Sequence, residues 1–392
     1  MPASERPRAG FDALFLEQPM VGAGQYALNL WRELRDHQQS VEPHLLIPDD
    51  APGIARAEAR RGGFTRAVAP VPVRRLGGYA RKLWWEQTGL PLASRRARVD
   101  LVHIPYFSAP LIQTVPYVVT VHDVIPLVLP SYGGGAKMRE YMRLVTRTTR
   151  QARMVLTDSE HSRGDIIRLL GIPEDRIRVT PLAVSDLYQP VVSEDDRAAV
   201  SAVREKFGLE QPFVLNVGGF DLRKRLPHLL RGFAAALVAL PASYDLVIAG
   251  NPHTGNAALY PPLEPLIREL GLERRVHLVG FVSDEDKRDL YRAARVFTFV
   301  SEYEGFGLTP LEAMACGAPV ICSNRSSLPE VVGSAGVLID PEPEDIARAL
   351  VRVLPDDDLR SALSRQSVER AARFTWRRTM RLTLDAYQEA LR

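Results

Sequence analysis

Short apolar runs alternate with amphipathic stretches along most of the chain. Leu101–Ile104, Tyr117–Val121, Met154–Thr157, Phe213–Val217, Leu246–Ala249, Val276–Val279, Val296–Val300 and Val320–Cys322 are three to five residues long and rich in β-branched residues, with Gly, Pro or polar turns at their ends. That is the pattern of buried strands. Between them lie helical periodicities. One carries Tyr26, Leu30, Trp31 and Leu34; another starts at the cap Ser159 and runs through Ile166, Ile167, Leu169 and Leu170 to Gly171. Continuous apolar strands alternating with helices predict an α/β protein with parallel sheets covered on both faces. The rhythm pauses between Ser185 and Pro212, a polar, acidic stretch with Pro190 and a short helical piece from Arg197 to Phe207, and restarts at Phe213. A chain of 392 residues calls for two domains of ~100–200 residues each. The pause divides it into residues 1–188 and 189–374. A final helix, 375–392, carries Trp376, Met380, Leu384 and Tyr387 on one side.

Composition narrows the classes. Hydrophobic residues are 46% and charged residues 25%, which excludes wholesale disorder. Fifty Lys and Arg against 47 Asp and Glu give +3, without the basic excess of a dedicated nucleic-acid binder. The two cysteines, Cys316 and Cys322, have apolar neighbours; they read as core residues of a protein from a reducing compartment. The start of the chain is polar, and the run Val115–Pro130 is broken by His122, Asp123 and Pro126, so the expectation is a soluble, intracellular (cytoplasmic) protein.

The charge is uneven. Residues 1–188 hold 25 basic and 19 acidic residues, +6; the remainder holds 25 and 28, −3. Two stretches concentrate the excess. Residues 54–98 interleave Arg74, Arg75, Arg81 and Lys82 with Leu76, Tyr79, Leu83, Trp84 and Trp85. Residues 137–153 carry Lys137, Arg139, Arg143, Arg147, Arg150 and Arg153 against Glu140. Such segments suit an anionic membrane surface; they equally suit a solvated arginine face with the two tryptophans in a core. Only five of the cations are lysine, so arginine abundance alone says little about contacts.

In open parallel sheets, ligands bind beyond the carboxyl ends of the strands, so the strand-to-helix loops are the places to look. Glu304-Gly305-Phe306-Gly307-Leu308-Thr309-Pro310-Leu311-Glu312 follows a strand. Its glycines allow close backbone approach to a ligand. Thr309 reads as an N-cap with Pro310 at the first helical position, a helix start suited to phosphate. Glu312 has two readings, the acid of a capping box with Thr309 or an acceptor for ribose hydroxyls. Glu304, ahead of the glycines, reads as a ligand contact. Gly218-Gly219-Phe220-Asp221-Leu222-Arg223-Lys224-Arg225 places cations before a helix, an anion site. Val21-Gly22-Ala23-Gly24-Gln25-Tyr26 is a weaker glycine turn without the full dinucleotide fingerprint. His122-Asp123 ends a strand where a His faces ligand; His103 is a weaker candidate of the same kind. Asp284-x-Asp286 and Asp356-x-Asp358 match a metal-binding carboxylate pattern but fall where first-turn acids favour a helix dipole. Neither a Walker lysine nor metal-ligand spacing is present.

The run Glu304 to Val320 resembles the signature of the family-4 retaining glycosyltransferases of GT-B architecture (glycosyltransferase group 1). The similarity continues through Gly218–Lys224, Val279-Gly280-Phe281-Val282, Ser326–Gly333, Gly22–Tyr26, Val121–Pro126 and Ser159–Ser162. It implies two Rossmann-like domains with parallel sheets facing across a cleft, the N-terminal one binding acceptor and the C-terminal one the donor. The last helix would cross back to the first domain. Arg223 and Lys224 would bind a nucleotide diphosphate, Glu312 the ribose and Glu304 the transferred sugar. Backbone of Gly219, Phe306, Gly307 and Leu308 would lie beside sugar and phosphates, that of Phe281 and Val282 beside the base. Gly22 and Gly24 would admit the diphosphate, and His122 with Asp123 would lie near the anomeric carbon. The implied activity is metal-independent transfer of a hexosyl group, with GDP-mannose the first donor and UDP-hexoses next. The acceptor would be a lipid-linked or cell-envelope glycan, at the membrane surface. No cofactor is implied beyond the donor. A nucleotide-sugar epimerase and a non-catalytic sugar-nucleotide binder are the alternatives on the same architecture. Ala23 and Gln25 replace the usual Ile/Val and Arg, and Arg225 stands where Asn is frequent.

Overall fold

The computed structural model describes residues 6–18, 22–37, 40–48, 51, 53–61, 67–69, 78–251 and 256–392. Val21, Arg74, Arg75 and Leu76, singled out above, lie outside them. The chain forms two compact units, Met1–Leu182 with Trp376–Arg392, and Ala183–Thr375.

The first unit is built on a parallel sheet of β1 (Arg8–Asp12), β2 (Glu42–Pro48), β3 (Ala67–Ala69), β4 (Leu101–Ile104), β5 (Tyr117–Thr120), β6 (Met154–Thr157) and β7 (Ile177–Val179). Its strand order is β3-β2-β1-β4-β5-β6-β7. The second carries β8 (Phe213–Val217), β9 (Asp245–Ala249), β10 (Val276–Gly280), β11 (Val296–Phe299), β12 (Val320–Ser323) and β13 (Val337–Ile339), in the order β10-β9-β8-β11-β12-β13. In both sheets the order reverses beside the first strand, between β1 and β4 and between β8 and β11. Crossovers leave that edge on opposite faces, so a crevice opens at the carboxyl ends of the paired strands.

Each sheet is buried by its own core. Val102, Val119, Val155, Trp85 and Leu170 are among the residues that fill the first; Leu230, Phe233, Leu246, Ile248, Ile321 and Leu350 are among those of the second. All eight apolar runs form strands. The helix capped by Ser159 is present: its hydroxyl accepts from the Ser162 amide, and the chain leaves through Gly171 at φ +63°. The piece predicted over Arg197–Phe207 is longer, Glu194–Lys206, because Ser193 and Asp196 close a capping box ahead of it. The C-terminal helix, Trp376–Ala390, belongs to the first unit, with Met380 and Tyr387 buried.

Of the two readings of the 54–98 stretch, the one that puts tryptophan in a core holds for Trp85, which is fully buried and donates from Nε1 to Asp12 Oδ1 at 2.9 Å. Lys82 lies over the rings of Phe15, Tyr106 and Tyr141, and Arg81 pairs with Glu17 at 2.9 Å. The described part of the 54–98 stretch therefore spends Arg81 and Lys82 on internal contacts. Cys316 and Cys322 are free and buried, as core residues. Among the described residues, no helix is long and apolar enough to cross a membrane.

Candidate functional site

In the second unit the crevice beside β8 and β11 gathers most of the sequence candidates. β8 is followed by Gly218, at φ +152°, where a Cβ would sit 3.7 Å from Lys224 Cε. A short turn, Leu222–Lys224, then brings both cations back over the strand end. Lys224 Nζ and Arg223 Nη1 each lie 2.6 Å from the same atom, Glu304 Oε1. Arg223 also donates to the Tyr303 carbonyl at 2.6 Å, and Lys224 sits 4.6 Å over the Phe299 ring. Burial works to raise the Glu304 carboxyl, but the two cations together outweigh it and hold it at about 2. Lys224 is pushed down by burial, against the pull of Glu304. Arg223 Nε also lies 3.4 Å from Asp221 Oδ1, so two cations meet two carboxylates at a strand end, where their remaining donors can hold an anion.

Arg225 departs from the frequent Asn in a left-handed position, φ +49°, which Asn tolerates better than Arg. Its guanidinium is committed elsewhere, to Glu302 at 2.6 Å and Glu342 at 2.8 Å. Gly219 is exposed in the same loop.

The 304–312 loop is pinned by residues from the turn after β12. Ser326 Oγ accepts from the Glu304 amide at 2.9 Å, and Ser327 Oγ donates to the carbonyls of Glu304 and Phe306 at 2.9 and 2.6 Å. The helix then begins at Leu308 from Gly307, φ +126°. Thr309 is therefore inside the first turn and is not the cap, and the capping-box reading of Glu312 falls with it. Glu312 is buried; its oxygens accept from Lys287 Nζ at 3.2 Å and from the Tyr291 hydroxyl at 3.0 Å. Burial nevertheless raises its carboxyl above the ordinary value. Phe306 is buried against Phe374, and Leu308 is half-buried. Phe281, at the end of β10, is 61% exposed, with Val282 half-buried beside it.

Asp284 and Asp286 stand in the first turn behind the Ser283 cap, paired with Lys287 and Lys206 at 3.1 and 2.7 Å. Asp356 is itself a cap, accepting from the Leu359 amide, and Asp357 and Asp358 follow it in the first turn. Both pairs have helix-start roles, as the dipole argument expects.

In the first unit, His122 closes β5 with both ring nitrogens engaged. Nδ1 is 2.8 Å from Asp158 Oδ2, and Nε2 is 3.2 Å from the Pro105 carbonyl. A carbonyl only accepts, so Nε2 carries a proton. Burial lowers the ring's basicity, but Asp158 overcomes that and raises it. Tyr26 packs edge-on against the ring at 4.7 Å. Asp123 accepts from the Ile125 amide and shapes the turn. His103 is a different kind of residue. It is fully buried between the Tyr387 and Thr120 hydroxyls, at 2.8 and 2.7 Å, and burial pushes it down to about 3. It stays neutral and ties the C-terminal helix to β4 and β5.

Gly22 and Gly24 form the first turn of the helix Gly22–Asp36. A Cβ on Gly22 would meet nothing within 4 Å; one on Gly24 would lie 1.9 Å from the Gln18 carbonyl oxygen. Gly24 is therefore explained by packing, and only Gly22 faces open space. Sequence reasoning missed Lys287, Tyr291 and Asp158. Lys287 had a signal, being one of five lysines.

A model of glycosyl transferases group 1 matches residues 201–370, and one of glycosyltransferase family 4 matches residues 20–186. The O-antigen chain mannosyltransferase B of Escherichia coli is 31% identical over 387 residues, covering 95% of this chain and 97% of its own. The chain belongs to the family-4, group 1 glycosyltransferases. It is a GT-B protein of the α/β class, and a glycosyltransferase. The serotype-specific mannosyltransferase WbdA of Escherichia coli is 29% identical over 69% of this chain, which spans 33% of that longer protein. In fold, the glycosyltransferase is similar to Anabaena Alr3699/HepE, solved in complex with UDP and glucose. The TM-score is 0.72 at 19% identity, over 98% of this chain and all of that one.

Proposed function

We propose that the protein transfers a mannosyl group from a nucleotide-diphosphate mannose, GDP-mannose first, to a hydroxyl of a cell-envelope or lipid-linked glycan. Transfer proceeds with retention and without a metal. The observation that carries the reading is the convergence of Lys224 and Arg223 on Glu304 in the β8/β11 crevice. Breaking the bond between the anomeric carbon and the phosphate oxygen leaves negative charge on the diphosphate. Fixed cations at that position stabilise the developing charge. The acceptor oxygen forms the new bond on the face the diphosphate leaves, and its proton departs with the leaving group. Glu304 then contacts the transferred sugar, Glu312 the ribose, and Phe281 and Val282 the base. His122 is the residue placed near the anomeric carbon; its Nε2 proton is held by the Pro105 carbonyl and reaches a sugar hydroxyl only by exchanging that partner. The first unit takes the acceptor and the second the donor, in the cytoplasm at the inner membrane face.

Support for mannose comes from two relatives named as mannosyltransferases, one matched over nearly its whole length. UDP-hexoses are the second donor class, favoured by the UDP complex of a structural neighbour. The test is a thermal-shift screen with GDP, GDP-mannose, UDP and UDP-glucose, followed by transfer assays with the stabilising donor. Binding raises apparent stability by about 2.7 kcal/mol at a hundredfold excess over Kd. Stabilisation by GDP-mannose with mannosyl transfer is expected. Stabilisation by UDP-glucose alone overturns the donor assignment, and release of free sugar or an epimer without transfer overturns the reaction.

A further inference from the structure

A groove of about 690 Å³ lies in the first unit, lined in part by Pro126 and Leu127 just after the turn that Asp123 shapes. Its apolar lining includes Pro126, Leu127, Met142 and Leu169, and its basic lining is Arg139, Arg143, Arg147 and Arg150. The four arginines recur at i, i+4, i+8 and i+11 on the helix Ala136–Thr149 and its C-cap, so they share one face. The opposite face, with Tyr141, Val145 and Thr148, is buried; the arginines do not dock the helix. Like charges at that spacing repel along a helix. Little nearby relieves them. Arg143 pairs with Glu140 at 2.8 Å, both largely exposed. Arg139 and Arg150 donate to the Gly134 and Leu170 carbonyls, which carry no net charge. Arg147 has no ion-pair partner among the described residues. Three positive charges thus remain along an apolar floor.

Exposed apolar side chains border the same helix. Met138 lies on it, Leu127 lines the groove, and both are exposed. Ile112 is 73% exposed on a loop tied to the helix by Gln113 Nε2 donating to the Thr148 carbonyl at 3.3 Å. A free sugar phosphate has no use for an apolar floor, and a single-charged phospholipid headgroup leaves most of the arginine charge unmatched.

We propose that this groove seats a lipid diphosphate, its phosphates on Arg139, Arg143, Arg147 and Arg150 and the start of its hydrocarbon chain on Leu127, Met142 and Leu169. It would thereby hold the carrier of a lipid-linked acceptor. The proposal rests on the lipid-linked acceptor of the proposed function and adds the place and chemistry of its anchor.

The experiment measures binding of farnesyl diphosphate to the full chain by calorimetry, beside inorganic diphosphate and farnesol. Saturable binding of farnesyl diphosphate, tighter than either fragment, is expected. The variant R143E/R147E should weaken it about tenfold or more. L127N should weaken farnesyl diphosphate and leave inorganic diphosphate unchanged. Equal affinity for inorganic and farnesyl diphosphate, or indifference to R143E/R147E, overturns the proposal. So does flotation on phosphatidylcholine–phosphatidylglycerol vesicles that depends on these arginines while farnesyl diphosphate never saturates, since that marks a general anionic surface. Donor stabilisation in the thermal-shift screen confirms that each variant is folded and reads the second unit separately. Donor binding without farnesyl diphosphate binding sinks the groove alone; loss of both in the unaltered protein sinks the function.

Discussion

Replacing Glu304 by Gln keeps the side chain's shape and removes the charge between Arg223 and Lys224. The cations bring this carboxyl from 4.5 down to about 2, against the upward push of burial. At about 1.4 kcal/mol per pH unit, that gap corresponds to about 3 kcal/mol of native-state stabilisation. The side chain is only 15% exposed, so solvent screens little of it. Because the folded value is depressed, the stabilisation is complete above pH 4.5 and is lost as the pH falls toward about 2. E304Q should therefore unfold more easily at neutral pH by about 3 kcal/mol, within the range of about 3–5 for breaking a buried ion pair. It should also lose part of the acid limb of the wild-type stability curve. Adding Lys224→Met removes one of the two cations left facing the amide, so the double variant should be more stable than the sum of the two losses by about 1–3 kcal/mol. Domains hold about 5–15 kcal/mol in reserve, so each single variant should remain folded at room temperature. Urea titrations across acid to neutral pH measure all of this. On the catalytic side, Lys224→Ala and Glu304→Ala should each lose about a hundredfold or more in transfer rate. Equal urea midpoints for E304Q and wild type at neutral pH, with parallel acid limbs, would refute the electrostatic account. Near-wild-type turnover in either alanine variant would refute the site.

The remaining expectations are briefer. Gly24→Ala should fail to fold well, because its Cβ would meet the Gln18 carbonyl at 1.9 Å, whereas Gly22→Ala should fold normally and lose activity if ligand approaches there; thermal melts beside transfer assays separate the two. Lys287→Met removes the cation beside Glu312, whose carboxyl burial already raises, so the donor KM should rise and should climb further toward acid pH, with a pH-independent KM counting against the role. Asp158→Asn should drop the His122 ring below its present raised value. The stabilisation from that charged pair, lost as pH rises through the ring's raised value and lost again on the acid side where Asp158, raised by burial, takes up a proton, should vanish with it; an unshifted imidazole NMR titration excludes the coupling. Transfer should persist in excess chelator, since Asp284 and Asp286 are held by Lys287 and Lys206 and Asp356 by a helix amide; complete loss restored by Mg²⁺ would revive those carboxylates as metal ligands.

The strands that the sequence revealed share one property, a run of apolar residues, buried on both faces in all of them except the edge strand β10. Those it hid break that rule for identifiable reasons. β1 carries Arg8 and ends on Asp12, a buried acid satisfied by Trp85, Tyr106 and the Leu14 amide. β2 contains Pro43 and His44, and His44 is buried with Nε2 accepting from Arg8 Nε. β3, β7 and β13 are three residues each and lie at or next to sheet edges, too short for a periodicity to develop. A helix start was misplaced where Gly307 enters the left-handed region: a Thr-Pro pair resembles a cap, and a positive-φ glycine gives no composition signal of its role.

The site was legible where residue type was unusual for the chain and illegible where it was common. In a protein with forty-five arginines, an arginine in a loop carries little information, and a lysine kept against that trend needs a reason. The structure supplies one for four of the five; Lys137 is exposed and gives none. Lys82 stands 3.7 Å from buried Glu86, Lys224 is 2.6 Å from Glu304, Lys287 is 3.2 Å from buried Glu312, and Lys206 is 2.7 Å from Asp286. Three of the four carboxylates lie in confined surroundings, where a compact ammonium fits beneath an aromatic ring and a planar guanidinium needs room for its fork. Lys82, Lys224 and Lys287 do lie against rings, those of Tyr141, Phe299 and Tyr188. The sequence argument that selected Lys224 by its rarity therefore applied to Lys287 with equal force, and would have led from it to Glu312. Asp158 had no such marker, because an acid after a strand is ordinary until the neighbouring strand is known to end in His122.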